Sequence, residues 1–180
     1  MILQHPQEQD AVLGSAQIVA ASLPKAQIVV GLSWRNLAHA LGQDEVDAKR
    51  WAVLFPDKEA QGAQVTSRAG TVLDPSALEG IIVLDGTWSK AKTLWWRNPW
   101  LSKLNRMSLK PSQPSIYGRL RAEPQRHYVS TLESVVGALT LCGEDREIAP
   151  GLEKVFRTLV QRVRDAQLIP PPTRARSKGR

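Results

Sequence analysis

Short apolar runs bounded by polar or turn-forming residues recur along the chain, and stretches of helical period separate them. The most continuous run is Ile81-Ile82-Val83-Leu84, preceded by Gly80 and followed by Asp85-Gly86-Thr87-Trp88. Four apolar residues are too few for a helix, and unbroken apolarity marks a strand buried on both faces. Asp85 stands where that strand ends. Gly86 allows a sharp turn, and Thr87 is placed to cap a helix from Trp88 to about Arg97, stopped by Asn98-Pro99.

The same reading predicts further strands at residues 1–4, 26–32, 50–55 and 106–109. Helices are predicted at 15–23, with Ser15 as cap and Pro24 closing, at 37–41 before Gly42, at 130–141 and at 150–168. Leu152, Val155, Phe156, Leu159, Val160 and Val163 form the apolar stripe of the last helix. Residues 57–75 are polar and read as a loop around a minor strand. Strands alternating with helices predict an α/β fold: a mostly parallel sheet with helices on both faces.

Length and charge refine this picture. The 180 residues suit one domain, 1–168, followed by a basic tail, 169–180, that Pro170-Pro171-Pro172 separates from the last helix. Residues 173–180 have four basic residues and no apolar one beyond Ala175, and are expected to be disordered. A net charge of +7 favours an anionic partner, most commonly nucleic acid. Cys142 is the sole cysteine, which excludes an intrachain disulfide and a Cys-rich zinc site. No three residues have metal-ligand spacing, and neither a P-loop nor a G-x-G-x-x-G run is present. No apolar run has the length of a membrane span and no signal-peptide pattern opens the chain, so a cytoplasmic protein is expected.

Candidate chemistry gathers at a few places. A carboxylate at the end of a buried strand and beside a helix N-terminus, as at Asp85, occupies the usual site position of open α/β sheets. Asp85 is read as a general base, as an anchor for a cationic ligand, or as a turn residue. Trp88 is read as core or as a stacking face. Ser130-Thr131-Leu132-Glu133 fits a capping box, and a capped helix start can also hold an anion, with Thr131 adding a hydroxyl. Residues 110–124 are too long for a passive connection. If extended, they place Arg119 and Arg121 on one side near Tyr117, which suits phosphate contact and base stacking, against the alternative of a solvated loop. Arg126 and His127 extend that positive patch. His5 and Glu8 are either an acid–base pair or, for His5, the donor or acceptor of a structural hydrogen bond. The remaining tryptophans, 34, 51, 95, 96 and 100, read as core or surface-patch residues. Trp95 and Trp96 are adjacent and cannot share a helical face; an exposed one beside Arg97 would suit RNA.

Asp85-Gly86-Thr87-Trp88 resembles the signature of the DTW-domain family. Three further pieces agree in order: Gln4-His5-Pro6-Gln7-Glu8, the run from Ser115-Ile116-Tyr117-Gly118-Arg119 to Glu123-Pro124, and Ser130-Thr131-Leu132-Glu133-Ser134. The resemblance covers about residues 1–165. It implies an S-adenosylmethionine-dependent transferase that moves the 3-amino-3-carboxypropyl group to N3 of a uridine in tRNA. It also implies a fold related to the SPOUT methyltransferases, with a C-terminal trefoil knot that nothing in the periodicity reveals. On this resemblance Asp85 and Trp88 are the expected catalytic residues. Leu84, Thr87, Leu109, Ser130, Thr131 and Glu133 are expected at the cofactor, and Tyr117, Arg119 and Arg121 at the RNA. No metal and no obligate protein partner are expected. The alternatives are a SPOUT-like RNA methyltransferase and a noncatalytic RNA-binding module. Larger family members carry a zinc-binding cysteine cluster ahead of the His-Pro motif, which these residues lack.

Overall fold

Strands that are apolar along their whole length need cover on both faces. The computed structural model, which describes residues 1–11, 14–54, 62–110, 115–116, 130–144 and 146–166, supplies that cover with helices. The strands are β1 (Ile2–Gln4), β2 (Ile28–Val30), β3 (Trp51–Leu54), β4 (Gln64–Thr66), β5 (Val72–Leu73), β6 (Gly80–Asp85) and β7 (Asn105–Ser108). The helices are α1 (Ser15–Ser22), α2 (Leu37–Leu41), α3 (Trp88–Arg97), α4 (Thr131–Leu141) and α5 (Ile148–Asp165). The sheet order is β2-β1-β6-β3-β7-β4-β5.

The first five strands of that order are parallel, as predicted for the bulk of the sheet. The edge departs from the prediction. Strands β4 and β5 pair antiparallel with each other, and β4 pairs antiparallel with β7. The region read as a loop with one minor strand therefore contains a hairpin. Its turn closes through Gly70 N–H to Ser67 C=O at 2.9 Å, with Gly70 at φ +87°, which only glycine adopts readily.

Alternate residues of each central strand face opposite layers. Ile2 and Val83 join Val19 of α1, Leu132 and Val136 of α4, and Phe156 of α5. Leu3 and Ile82 join Leu37 of α2, Trp100 and Leu101, with Trp95 of α3 packed against them. Helices thus lie on both faces. Helix α5 starts at Ile148, two residues before the predicted Pro150, and its described part ends at Asp165. Leu152, Phe156, Val160 and Val163 of its stripe are buried, but Val155 is half-exposed because it falls at the margin of the stripe. Ser15 is the first residue of α1 rather than its cap. Gly14 holds the boundary position, and no side chain caps the helix.

Phe156 is among the largest fully buried side chains. Phe156→Ala should destabilise the fold by about 3–5 kcal/mol, read from the urea unfolding midpoint, because the cavity it leaves cannot collapse completely.

Candidate active site

The chain leaves β1 for α1 on one face of the sheet and leaves β6 for α3, whose Trp95 packs on the other. Adjacent parallel strands whose connections diverge in this way open a crevice at their carboxyl ends, the usual ligand position in such sheets. The register Ile2↔Val83, Leu3↔Leu84, Gln4↔Asp85 sets the first polar residue of each strand side by side at that point. Both are buried, Gln4 at 0% and Asp85 at 8% relative exposure. Gln4 Nε2 donates to Asp85 Oδ2 at 2.8 Å. The Thr131 hydroxyl donates to Asp85 Oδ1. Asp85 has no basic partner among the described residues, and Gln4 Oε1 is buried without a donor.

Thr131 is the first residue of α4, and its place follows from the predicted capping box. Ser130 Oγ accepts the Glu133 N–H at 3.1 Å, and Glu133 Oε2 accepts the Ser130 N–H at 2.7 Å. The Glu133 carboxylate also accepts from Ser115 Oγ at 2.8 Å and from the Ile116 N–H at 2.6 Å. Three of its roughly four acceptor sites are thus taken by this chain's own donors. Glu133 fastens residues 115–116 beside the start of α4. The Thr131 hydroxyl donates to Asp85. Tyr117, Arg119, Arg121, Arg126, His127 and the tail lie outside the described residues.

A second tie holds the other side of the crevice. Lys90 Nζ lies 2.8 Å from Glu8 Oε1 and 3.4 Å from the Gln7 carbonyl oxygen. This joins the turn after β1 to the first turn of α3. Glu8 is therefore committed to an ion pair. His5 Nδ1 accepts the Gln7 N–H at 3.2 Å, the structural hydrogen bond that was the alternative to an acid–base pair. Gly86 lies between these elements. A Cβ on it would come within 2.9 Å of Lys90 Cβ and 3.6 Å of His5 Cβ. Its φ is not positive, so glycine is required here for closeness rather than for a left-handed turn.

Thr87 holds the cap position of α3 but makes no side-chain cap bond, and it is exposed. Trp88 is 41% exposed beside it, which removes the reading of Trp88 as core. The Leu84 side chain packs into the Leu3–Trp100 layer, on the face of the sheet opposite Asp85. Leu109 packs against the cluster of Ala52, Val65, Met107 and Ala138, more than a turn along α4 from Thr131. Trp34 and Trp100 belong to the core, where the Trp100 indole N–H donates to the Trp34 carbonyl at 2.9 Å and to Asn98 Oδ1 at 3.2 Å. Cys142 caps the far end of α4, where burial and Glu144 push its thiol up and disfavour the thiolate. Among the described residues no group of three or more His, Cys, Asp or Glu could hold a metal ion, and no helix is long and apolar enough to cross a membrane.

Sequence reasoning missed Gln4 and Lys90. The first had a signal: Ile2-Leu3-Gln4 and Val83-Leu84-Asp85 are both apolar runs ending in a polar residue, as expected of neighbours sharing one edge. Lys90 carried none, since its partner Glu8 is 82 residues away.

The DTW domain matches residues 1–164 of the chain. Three curated relatives carry the name tRNA-uridine aminocarboxypropyltransferase 2. The protein of Macaca fascicularis is 29% identical over 161 residues, and that of Mus musculus 30% over 162; each alignment covers 88% of this chain and 52% of the relative. The protein of Drosophila melanogaster is 27% identical over 163 residues, covering 88% of this chain and 62% of the relative. The chain thus spans about half the length of the two mammalian relatives. No solved structure matches it.

The two ties can be separated by denaturation. Ser130→Ala should lose about 0.5–2 kcal/mol of stability as the cap is removed. Glu133→Ala should lose more, because three donors lose their acceptor at once. A double-mutant cycle on Glu8→Gln and Lys90→Met should show a coupling of about 0.5–3 kcal/mol, since the two groups share one partly buried contact.

Proposed function

The chain belongs to the DTW-domain family, and from that premise we propose that it is a tRNA-uridine aminocarboxypropyltransferase. In this proposal it acts on N3 of a uridine in tRNA, with S-adenosylmethionine as donor and 5′-methylthioadenosine as the second product. The observation that carries the reading is the meeting of three motif segments at one buried carboxylate: Asp85 with Gln4 and Thr131. The names of the relatives support the same class of reaction.

The residues present fit the donor. A buried charge ordinarily has an opposite charge near it, and Asp85 has only two neutral donors among the described residues. Beside it, Gln4 Oε1 is a buried acceptor without a donor among the described residues. These two features suit a cationic group with N–H donors, such as the ammonium of an aminocarboxypropyl chain. The Glu133 amide is capped by Ser130 Oγ, and in the proposal the remaining amides of the first turn of α4, which have no carbonyl partner within the helix, receive its carboxylate.

When bound, S-adenosylmethionine supplies an alkyl carbon activated by its sulfonium leaving group. In the proposal the uridine N3 forms a bond to that carbon as the carbon–sulfur bond breaks, and the N3 proton passes to Asp85. A carboxylate has about four lone-pair sites, so the bonds from Gln4 and Thr131 leave about two for this work. Those bonds aim the carboxylate, which makes Gln4 and Thr131 positioning residues. The alternative role, Asp85 as anchor of the ammonium, is favoured by its lack of a basic partner among the described residues. Thr87 and the indole face of Trp88 border the mouth of the crevice and meet the target base or the adenine. Leu84 offers its main chain on this side, and Leu109 walls the layer under α4. Tyr117, Arg119 and Arg121 follow directly on the pair that Glu133 anchors, and they hold the RNA. Ser130 acts through the cap.

The proposal extends to residues 1–168 as one catalytic domain of SPOUT-like fold with a C-terminal trefoil knot, to the basic tail as added charge for RNA, and to a cytoplasmic enzyme without an obligate protein partner. It rests there on the family resemblance.

Asp85→Asn should fold normally and lose transfer by about 10²-fold or more. Mass spectrometry of nucleosides from tRNA incubated with enzyme and donor checks this, together with the identity of the small product. Activity within a few-fold of wild type would exclude both roles for Asp85. Unchanged affinity for S-adenosylmethionine in the variant assigns the base, and lost affinity the anchor. S-Adenosylhomocysteine as product would make the protein a methyltransferase, and absence of donor binding by the wild type would make it a noncatalytic RNA-binding module.

A further inference from the structure

Helix α3 runs away from the crevice, and beyond Trp88 its exposed face has no part in the proposed chemistry. Trp88, Lys92 and Trp96 recur every four residues and so share one stripe, about 12 Å long at 1.5 Å per residue. Trp96 is 73% exposed, the most open of the large apolar side chains described. Lys92 is exposed between the two indoles. Docking of α3 does not need Trp96, because Leu94 is fully buried and Trp95 packs into the layer with Leu3 and Trp100.

The surrounding charge points to one kind of partner. Between Asp85 and Glu123 the sequence holds eight lysines and arginines and no carboxylate, while the rest of the chain has sixteen basic against seventeen acidic residues. The segment that contains α3 therefore carries the whole positive excess. Lys90 is engaged by Glu8. Lys92, Arg97 and Lys103 are exposed and have no carboxylate partner among the described residues. Indole faces alternating with fixed cations match unpaired nucleotides, whose bases stack on the rings while their phosphates meet the ammonium groups. A second copy of the chain would bring the same charge to the same face, which opposes symmetric pairing there.

We propose that the stripe Trp88–Lys92–Trp96 is a docking surface for an unpaired segment of RNA adjoining the nucleotide at Asp85. This rests on the reading of Asp85 as the reaction site, because Trp88 is what joins the two. The enzyme would then grip its substrate along α3 as well as at the target base, and would prefer a target uridine with unpaired neighbours over one within a duplex.

The test uses the full chain and fluorescein-labelled oligouridine, with a duplex RNA of equal length as competitor. Trp96→Ala should raise the Kd for oligouridine about ten-fold, and Trp96→Phe less, as a stacking contact requires. Lys92→Gln should weaken binding and lower the slope of log K against log salt by about one. Neither change should alter duplex binding, S-adenosylmethionine binding, or the single-turnover transfer rate at saturating unmodified tRNA. Oligouridine binding that Trp96→Ala leaves unchanged overturns the proposal. A wild-type dimer in sedimentation equilibrium that Trp96→Ala converts to monomer also overturns it, by assigning the stripe to self-association. Stripe-dependent RNA binding without any aminocarboxypropylated uridine would overturn the reading of Asp85 and leave the stripe standing. Intact transfer with unchanged RNA binding would do the reverse.

Discussion

A buried carboxylate must find hydrogen-bond donors, and Asp85 finds them only because β1, β6 and the first residue of α4 converge at one point. The parallel register between β1 and β6 is the constraint behind this. Side chains alternate across a strand, so a slip of one residue would turn Gln4 toward the opposite layer and place an apolar or imidazole side chain beside Asp85. The apolar positions prevent the slip. Ile2 and Val83 must face the Phe156 layer while Leu3 and Ile82 face the Trp100 layer, and exchanging them would expose both sets to the wrong neighbours. The core that stabilises the sheet and the geometry of the crevice are thus set by the same alternation.

Two polar ties then fix what surrounds the carboxylate. Glu133 gathers donors from Ser115, Ile116 and Ser130, and so orients the start of α4 that carries Thr131. Lys90 bridges to Glu8, and so orients the start of α3 that carries Trp88. Sites held on regular elements by such outer contacts keep their geometry better than sites on loops. The contrast along α3 follows from the same arrangement. Its inner side is committed to Leu94, Trp95 and Lys90, which leaves Lys92 and Trp96 exposed on its outer side.

Features set by near neighbours were legible in the sequence. The run Ile81–Leu84 declared a two-sided strand because nothing but burial on both faces suits it. Ser130 and Glu133 declared a capping box because both halves of the motif lie within one turn. The most buried positions of α5 followed from a period of 3.6, although Val155 showed that period alone cannot set the width of the buried arc. The DTW motif and its three companion pieces identified the family because residue order survives without coordinates.

What tertiary structure decided involves residues distant along the chain. Gln4 meets Asp85 across 81 residues, and Thr131 meets it across 46. No local signal tells a strand-end glutamine or a helix-start threonine which carboxylate it will serve. Nothing local marked Lys90, whose partner Glu8 lies 82 residues away. Gly86 looked like a turn residue, whereas Lys90, whose Cβ would lie 2.9 Å from a Cβ here, leaves no room for one. Glu133 gave no sign in the sequence of the Ser115 and Ile116 donors that the fold places in its reach. In each case the sequence alone determined the chemical type of the group. Its partner was decided by the sheet order, since hydrogen bonds and ion pairs act over a few ångströms and only the fold sets which groups come that close.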